Sequence, residues 1–210
     1  MVLGDTGVGK TTLLRHHVQD DEAIDVSVEA ERGYCADFVM KSYERDGRKH
    51  VIHWWDIPGS DRGDPGTVTR LCAGAAGGIL VFDHDVPESF QQLGTWLKAA
   101  RKGCIGGVHG HGTWALVGNS IGVEAAGEDV VSQADAQKFA EDNGMRYFEG
   151  TDSSLSFFHD AAFEVLSNIA ELIPQPPEPS LLFRQGIAVG GLLASDVNVR
   201  QQLFGAPVGL

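Results

Sequence analysis

One stretch near the start of the chain, GDTGVGKTT from Gly4 to Thr12, limits what it can fold into more than any other. It fills the pattern GxxxxGK[ST] with Gly4, Gly9, Lys10 and Thr11. Glycines let the backbone wrap closely around an anion, so that peptide N–H groups and the N-terminus of the following helix point at it. Lys10 adds a point charge for nucleotide phosphate, and Thr11 offers a hydroxyl to Mg²⁺. The mechanism needs a strand before the loop and a helix after it. Met1 to Leu3 reads as the end of a strand, and Gly9 to about Gln19 as the helix. Three residues are few for a strand, which leaves room for it to begin upstream of Met1.

Strand-like and helix-like segments alternate up to about residue 173, the pattern of an α/β domain with a largely parallel sheet. ADFVMKSY (Ala36 to Tyr43) and HVIHWWD (His50 to Asp56) read as two strands joined through ERDG, a hairpin turn in which Gly47 supplies positive φ. GGILVFD (Gly77 to Asp83) and TWALVGN (Thr113 to Asn119) are short apolar runs, as buried central strands are. Pro87 to Lys102 reads as one helix with Phe90, Leu93 and Leu97 on one face. Ser132 suits the N-cap of a helix that closes at Gly144. Met145 to Glu149 is a last strand and Leu155 to Ile173 a last helix, stopped by Pro174, Pro176, Pro177 and Pro179. The expected organisation is one domain over 1–173 and a Pro-rich junction with a C-terminal tail over 174–210.

The charge balance excludes several functions. Net charge is −13, from 29 acidic against 16 basic side chains, which argues against sequence-independent binding to nucleic acid or docking on anionic lipid by charge alone. Three cysteines, Cys35, Cys72 and Cys104, are an odd number without CxxC spacing, so a reducing compartment is expected rather than a disulfide framework. There is no secretory signal pattern, and nothing reaches the roughly 18 apolar residues of a membrane span. Val2 excludes N-myristoylation, and GAPVGL at the end lacks a cysteine for prenylation. The expected location is cytoplasmic, with no lipid anchor of its own and membrane association only through a partner.

A second marker is WDIPG, where Asp56 ends a strand and Gly59 follows three residues later. In phosphate-binding NTPases such a carboxylate holds the Mg²⁺ shell, and the glycine N–H senses the γ-phosphate. These blocks resemble a Ras-superfamily small GTPase, nearest the Rab branch, over about residues 1–173. The resemblance rests on GDTGVGKT, on the DG hairpin before WWDIPGSDR, and on GILVFDHDVPESFQQLGTWL, in the family's order and spacing. It implies a P-loop NTPase fold, a three-layer α/β sandwich with a mostly parallel six-stranded sheet. It implies GTP or GDP with Mg²⁺ as cofactors. The residues that match are Gly4, Asp5, Gly7, Val8, Gly9, Lys10, Thr11 and Thr12, then Asp56, Gly59, Asn119 and Ser153, with Thr11 and Asp56 toward the metal. It implies protein effectors or regulators at the switch regions and at the strand around Trp54 and Trp55, of which Trp54 is expected in the core and Trp55 outward.

The departures from the family pattern bear on turnover. The switch I threonine has its counterpart at about Gly33, and no threonine lies between Asp20 and Val51. The water-orienting glutamine would follow Gly59, where the chain has Ser60, too short for that task; Asp61 and Asp64 are the nearby carboxylates. The base-reading NKxD tetrapeptide is Asn119, Ser120, Ile121 and Gly122, so the carboxylate that reads guanine is gone from its position, and Glu124 stands two residues on. Losing such a partner removes discrimination, because that discrimination comes from leaving a mismatched base unpaired. Ser153, in TDSS, falls where a backbone N–H meets the base and any side chain is tolerated. The resemblance therefore implies a nucleotide-dependent switch with slow intrinsic hydrolysis. The alternative is a pseudoGTPase interaction module that keeps the fold without turnover. His109 and His111 lack a third ligand nearby, and His50 and His53 fall on opposite faces of their strand.

Overall fold

The computed structural model describes residues 1–19, 37–45, 48–60, 64–104, 112–119, 130–150 and 155–172. Along the chain these form β1 (Val2–Leu3), α1 (Lys10–Gln19), β2 (Asp37–Arg45), β3 (Arg48–Asp56), α2 (Pro65–Leu71), β4 (Gly77–Asp83), α3 (Pro87–Gln91), α4 (Leu93–Gly103), β5 (Thr113–Asn119), α5 (Gln133–Asp142), β6 (Arg146–Gly150) and α6 (Ser156–Leu172). The six strands lie in the order β2-β3-β1-β4-β5-β6. Only the β2–β3 hairpin is antiparallel; its Arg45–Arg48 pair leaves two residues for the turn. Each of the other neighbouring pairs is parallel.

Strand periodicity divides the core between the two faces of this sheet, because successive side chains point to opposite sides. Leu80 and Phe82 of β4 and Trp114 and Leu116 of β5 pack with Val68 of α2, Leu93, Trp96 and Leu97 of α4, and Ala136 and Ala140 of α5. Their neighbours Ile79, Val81, Ala115 and Val117 pack on the other face with Leu13 and Leu14 of α1 and Phe158, Ala161 and Val165 of α6. Each fully buried Leu, Ile or Phe side chain contributes about 1.5–3 kcal/mol. The expected three-layer α/β sandwich with a mostly parallel six-stranded sheet is the observed fold.

Two helical details differ from expectation. The segment read as one helix from Pro87 to Lys102 is two, parted at Gln92. There the Thr95 N–H donates to the Gln92 carbonyl at 2.9 Å, a tighter i→i−3 bond that pinches the turn. Helix α2 was not foreseen, although its signal is local. Asp64 caps it, accepting from the Gly66 N–H at 3.0 Å and from the Thr67 hydroxyl, with Pro65 at the first helical position. Ser132 caps α5 as expected, accepting from the Asp135 N–H at 3.1 Å, and Gly144 follows that helix at φ +66°. Cys72 and Cys104 are buried free thiols, and burial pushes the Cys72 thiol up to about 12.

Beneath the hairpin lies a buried polar cluster that sequence pattern did not announce. Lys41, 2 % exposed, donates to the His17 carbonyl, and the Trp54 indole N–H donates to the Tyr43 hydroxyl at 2.9 Å. The Tyr43 hydroxyl meets His17 Nε2 at 2.6 Å, while His17 Nδ1 is buried without a hydrogen-bond partner among the described residues. Burial first, then the Lys41 charge, then His159 and His16, push the His17 pKa down to about 3. The unfolded chain therefore binds a proton that the fold refuses between about pH 6.5 and pH 3. The stability this site confers is fully present above that window and is lost as pH falls through it. Urea unfolding followed from pH 7 to pH 4.5 is expected to show a fall of up to about 1.4 kcal/mol per pH unit from this group. The slope should flatten in His17→Phe, and parallel profiles for the two proteins would exclude His17 as the source.

Candidate nucleotide site

The strand order reverses direction at β1: the chain returns first to β3 on one side and then to β4 on the other. The crevice at the carboxyl ends of the strands opens at such a switch point, and residues 4–9 fill it as a loop between β1 and α1. Gly9 sits at φ +91°, where a Cβ would lie 2.4 Å from Asn119 Nδ2, so both the conformation and the space demand glycine. The Leu13 N–H bonds back to the Gly9 carbonyl at 2.9 Å and starts α1, leaving the first-turn N–H groups directed out of the helix end.

The loop is held from several directions by residues distant in sequence. Asn119, at the end of β5 and buried, donates from Nδ2 to the Val8 carbonyl at 3.0 Å. Trp96 of α4 donates its indole N–H to Asp5 Oδ1 at 2.8 Å. Gly59 presses on the loop main chain, since a Cβ there would stand 2.1 Å from the Thr6 nitrogen. Lys10 is 6 % exposed, with Nζ donating to the Asp5 carbonyl at 2.7 Å. Burial lowers the Lys10 pKa, and the Asp56 and Asp5 charges oppose that shift. At the base of α1 the Thr11 hydroxyl donates to Asp56 Oδ2. Asp56 is brought there by the parallel pairing of Val2 with Asp56 and by the bond from the Ile57 N–H to the Val2 carbonyl.

Of the residues singled out in the sequence, the structure gathers Gly4 to Thr11, Asp56, Gly59 and Asn119 at one end of the sheet; Thr12 is exposed on α1. These side chains suit a nucleoside phosphate with Mg²⁺. The loop backbone is packed against Asn119 so closely that a Cβ at Gly9 would strike it, the Lys10 ammonium is buried at the loop, and a hydroxyl stands beside a carboxylate. Asn119 Oδ1 is buried and has no hydrogen-bond partner among the described residues. Asp64 is committed elsewhere, with both carboxylate oxygens engaged in capping α2, and the Thr67 hydroxyl holds its pKa down. Gly33, Asp61, His109, His111, Ser120, Ile121, Gly122, Glu124 and Ser153 lie outside the described residues. What sequence reasoning missed is Trp96, which was not singled out on its helix.

A parallel sheet with one antiparallel hairpin, a GxxxxGK[ST] loop at the switch point and a Thr–Asp pair beside it define a Ras-like P-loop fold. The sequence profile of the Ras family matches residues 1–171. The chain is 32 % identical to the Ras-related protein Rab-13 of Mesocricetus auratus over 171 residues, covering 80 % of this chain and 76 % of that one. It is also 32 % identical to the Ras-related protein Rab7 of Vigna aconitifolia over 171 residues, covering 81 % and 80 %. To the GTP-binding protein ypt3 of Schizosaccharomyces pombe it is 27 % identical over 173 residues, covering 82 % and 76 %. The chain belongs to the Ras family and is a Rab-like small GTPase by descent. Proteins of this family bind GTP and GDP, generally with Mg²⁺, and engage effectors and regulators. No helix among the described residues is long and apolar enough to cross a membrane.

The Trp96–Asp5 bond has a measurable value. Trp96→Phe keeps an aromatic ring in the core and removes only the donor, and is expected to lower the unfolding free energy by about 1–2 kcal/mol. A double-mutant cycle with Asp5→Ala should return a coupling of about 1 kcal/mol in urea unfolding, and additive losses would show that the bond contributes nothing.

Proposed function

We propose that the chain is a nucleotide-dependent switch that binds GTP and GDP with Mg²⁺ and hydrolyses GTP slowly by itself. The observation that carries the reading is the Thr11–Asp56 pair standing beside the buried Lys10 and the Asn119-tethered loop. In this reading Gly4, Asp5, Gly7, Val8, Gly9 and Thr12 shape the phosphate cradle. Lys10 neutralises the β- and γ-phosphates, and Thr11 and Asp56 hold the metal. Gly59 reports the γ-phosphate through its N–H, and Asn119 and Ser153 attend the base. A bound Mg²⁺ would supply charge neutralisation at the phosphates. The domain acting as the switch is 1–173, with 174–210 as an appended junction and tail.

Slow hydrolysis follows from the residues at the water side. Ser60 follows Gly59 where a longer amide would orient the attacking water, and Asp64 is spent on its helix cap. Poor positioning of the nucleophile removes most of what a protein contributes to this reaction. Effectors and regulators are read onto the outer face of β3. There Trp55 and Val51 are 38 % and 54 % exposed, while Trp54 is buried at 2 %. Such a surface suits a partner that buries aromatic area.

Nucleotide released by denaturing the freshly purified chain, resolved by chromatography, tests the reading. Bound GTP or GDP is expected, absent from Lys10→Ala and preferred over ATP in Mg²⁺-dependent titration. An empty, stable protein indifferent to both nucleotides would refute it. In single-turnover assays Ser60→Gln is expected to raise the hydrolysis rate by about tenfold or more, as a water-orienting amide is restored. An unchanged rate would place the defect elsewhere.

A further inference from the structure

His84 stands just beyond the end of β4, is 4 % exposed, and is bonded on every polar side. Its backbone N–H donates to the Asn119 carbonyl at 3.0 Å, and its carbonyl accepts from the Val131 N–H at 3.1 Å. The same two residues stand on either side of residues 120–130, which carry the NKxD counterpart. The His84 side chain adds a second bond on the Val131 side, with Nδ1 2.8 Å from the Val131 carbonyl. On its other edge Nε2 lies 2.8 Å from the Tyr147 hydroxyl and 3.3 Å from Glu149 Oε1, both on β6. This bridge passes directly over Gly118, the residue before Asn119. A Cβ there would lie 2.4 Å from His84 Nε2 and 2.7 Å from the Tyr147 hydroxyl. The chain thus runs without a break from Glu149 and Tyr147 through His84 to Asn119, and from Asn119 Nδ2 to the Val8 carbonyl of the phosphate loop.

The hydrogens can be assigned by chemistry. A carbonyl only accepts, so Nδ1 carries a proton in either charge state. In the neutral ring Nε2 accepts from Tyr147, which spends the hydroxyl's one proton and leaves the Nε2 lone pair facing the Glu149 carboxylate. Protonation at Nε2 reverses this: Nε2–H donates toward the Glu149 carboxylate and the Tyr147 oxygen, and Tyr147 is released to donate to Glu149. Tyr147 is suited to remain a donor, since burial and the adjacent Glu149 push its pKa up. The ionisable groups facing His84 are Tyr147 and Glu149 of β6, with Asp83 and Asp85 flanking it on its own segment.

We propose that His84 is a positioning residue for Asn119, and that with Tyr147 and Glu149 it forms a proton-responsive latch on the base end of the nucleotide site. The proposal rests on the nucleotide-binding reading for its effect on release, but the latch itself does not. Protonated His84 completes the three-way bonding and holds Asn119 more firmly. Nucleotide release should therefore be slower from the His84-protonated protein, that is, toward lower pH.

Two measurements decide it, both on the full chain. The first is dissociation of a fluorescent GDP from the Mg²⁺-loaded protein between pH 5.5 and pH 8. Wild type is expected to release more slowly at low pH. Tyr147→Phe and Glu149→Gln should raise the rate at pH 6 by roughly three- to tenfold, the range for one net hydrogen bond. His84→Asn, which keeps a donor for the Val131 carbonyl but loses the Nε2 contacts and cannot titrate, should release at the fast rate throughout and abolish the pH slope. A role in packing alone would shift rates without changing that slope, and identical profiles for wild type and Glu149→Gln would overturn the latch. The second is nitrogen–proton correlation spectra of the nucleotide-free chain over the same pH range. The Asn119 side-chain amide is expected to follow the His84 titration and to be insensitive to pH in Glu149→Gln. A His84 that does not titrate, or titrates without moving Asn119, overturns the proposal. A chain that binds no GDP at all refutes the nucleotide reading instead, and the spectra still decide the latch.

Discussion

A loop that is half glycine has few side chains with which to hold its own shape, yet a phosphate cradle works only if its peptide N–H groups stay aimed at one point. The shape must therefore be imposed from outside, and most of the structure around residues 4–9 supplies it. Asn119 anchors the Val8 carbonyl, Trp96 anchors the Asp5 carboxylate, Gly59 closes against Thr6, and Lys10 returns to the Asp5 carbonyl. These anchors come from β5, α4, the segment after β3 and α1. The phosphate loop is consequently a property of the assembled sheet and helices rather than of its own six residues. Pre-organisation of this kind removes an ordering cost that ligand binding would otherwise carry.

The sheet makes this convergence possible. Parallel strands deliver their carboxyl ends to one edge, and the reversal of strand order at β1 leaves a crevice there. A period of two sends Leu80, Phe82 and Leu116 to one helical layer and Ile79, Val81 and Val117 to the other. Both faces are dry, so the polar groups that remain must satisfy one another. Two buried clusters do so in different ways. The one around His17 excludes a proton because the imidazole is buried, with the Lys41 charge close by. The one around His84 has a carboxylate within reach, which gives a proton somewhere to pair. Each imidazole meets a tyrosine hydroxyl through Nε2, and only the one at His84 also has a carboxylate there.

Much of this was legible along the chain. The loop, the hairpin, the central apolar strands and the cap at Ser132 all rest on contacts within a few residues, and the structure carries them in the expected places. Trp54 and Trp55 fall on opposite faces, as strand alternation requires. Helix α2 announced itself through Asp64 and Pro65, yet a seven-residue helix has too little periodicity to stand out. The break at Gln92 was not legible, because residues on either side of it continue the same apolar face.

By itself the sequence determined the family and the mostly parallel six-stranded sheet that goes with it, and it nominated the groups suited to a phosphate and a metal. Those follow from local chemistry: glycine permissiveness, a lysine and a threonine at fixed offsets, an aspartate at a strand end. Only the tertiary structure decided which distant side chains hold those groups still. Trp96 is 91 positions from Asp5, and Tyr147 is 63 from His84. Such bonds depend on a few ångströms of approach between elements whose separation no spacing rule encodes.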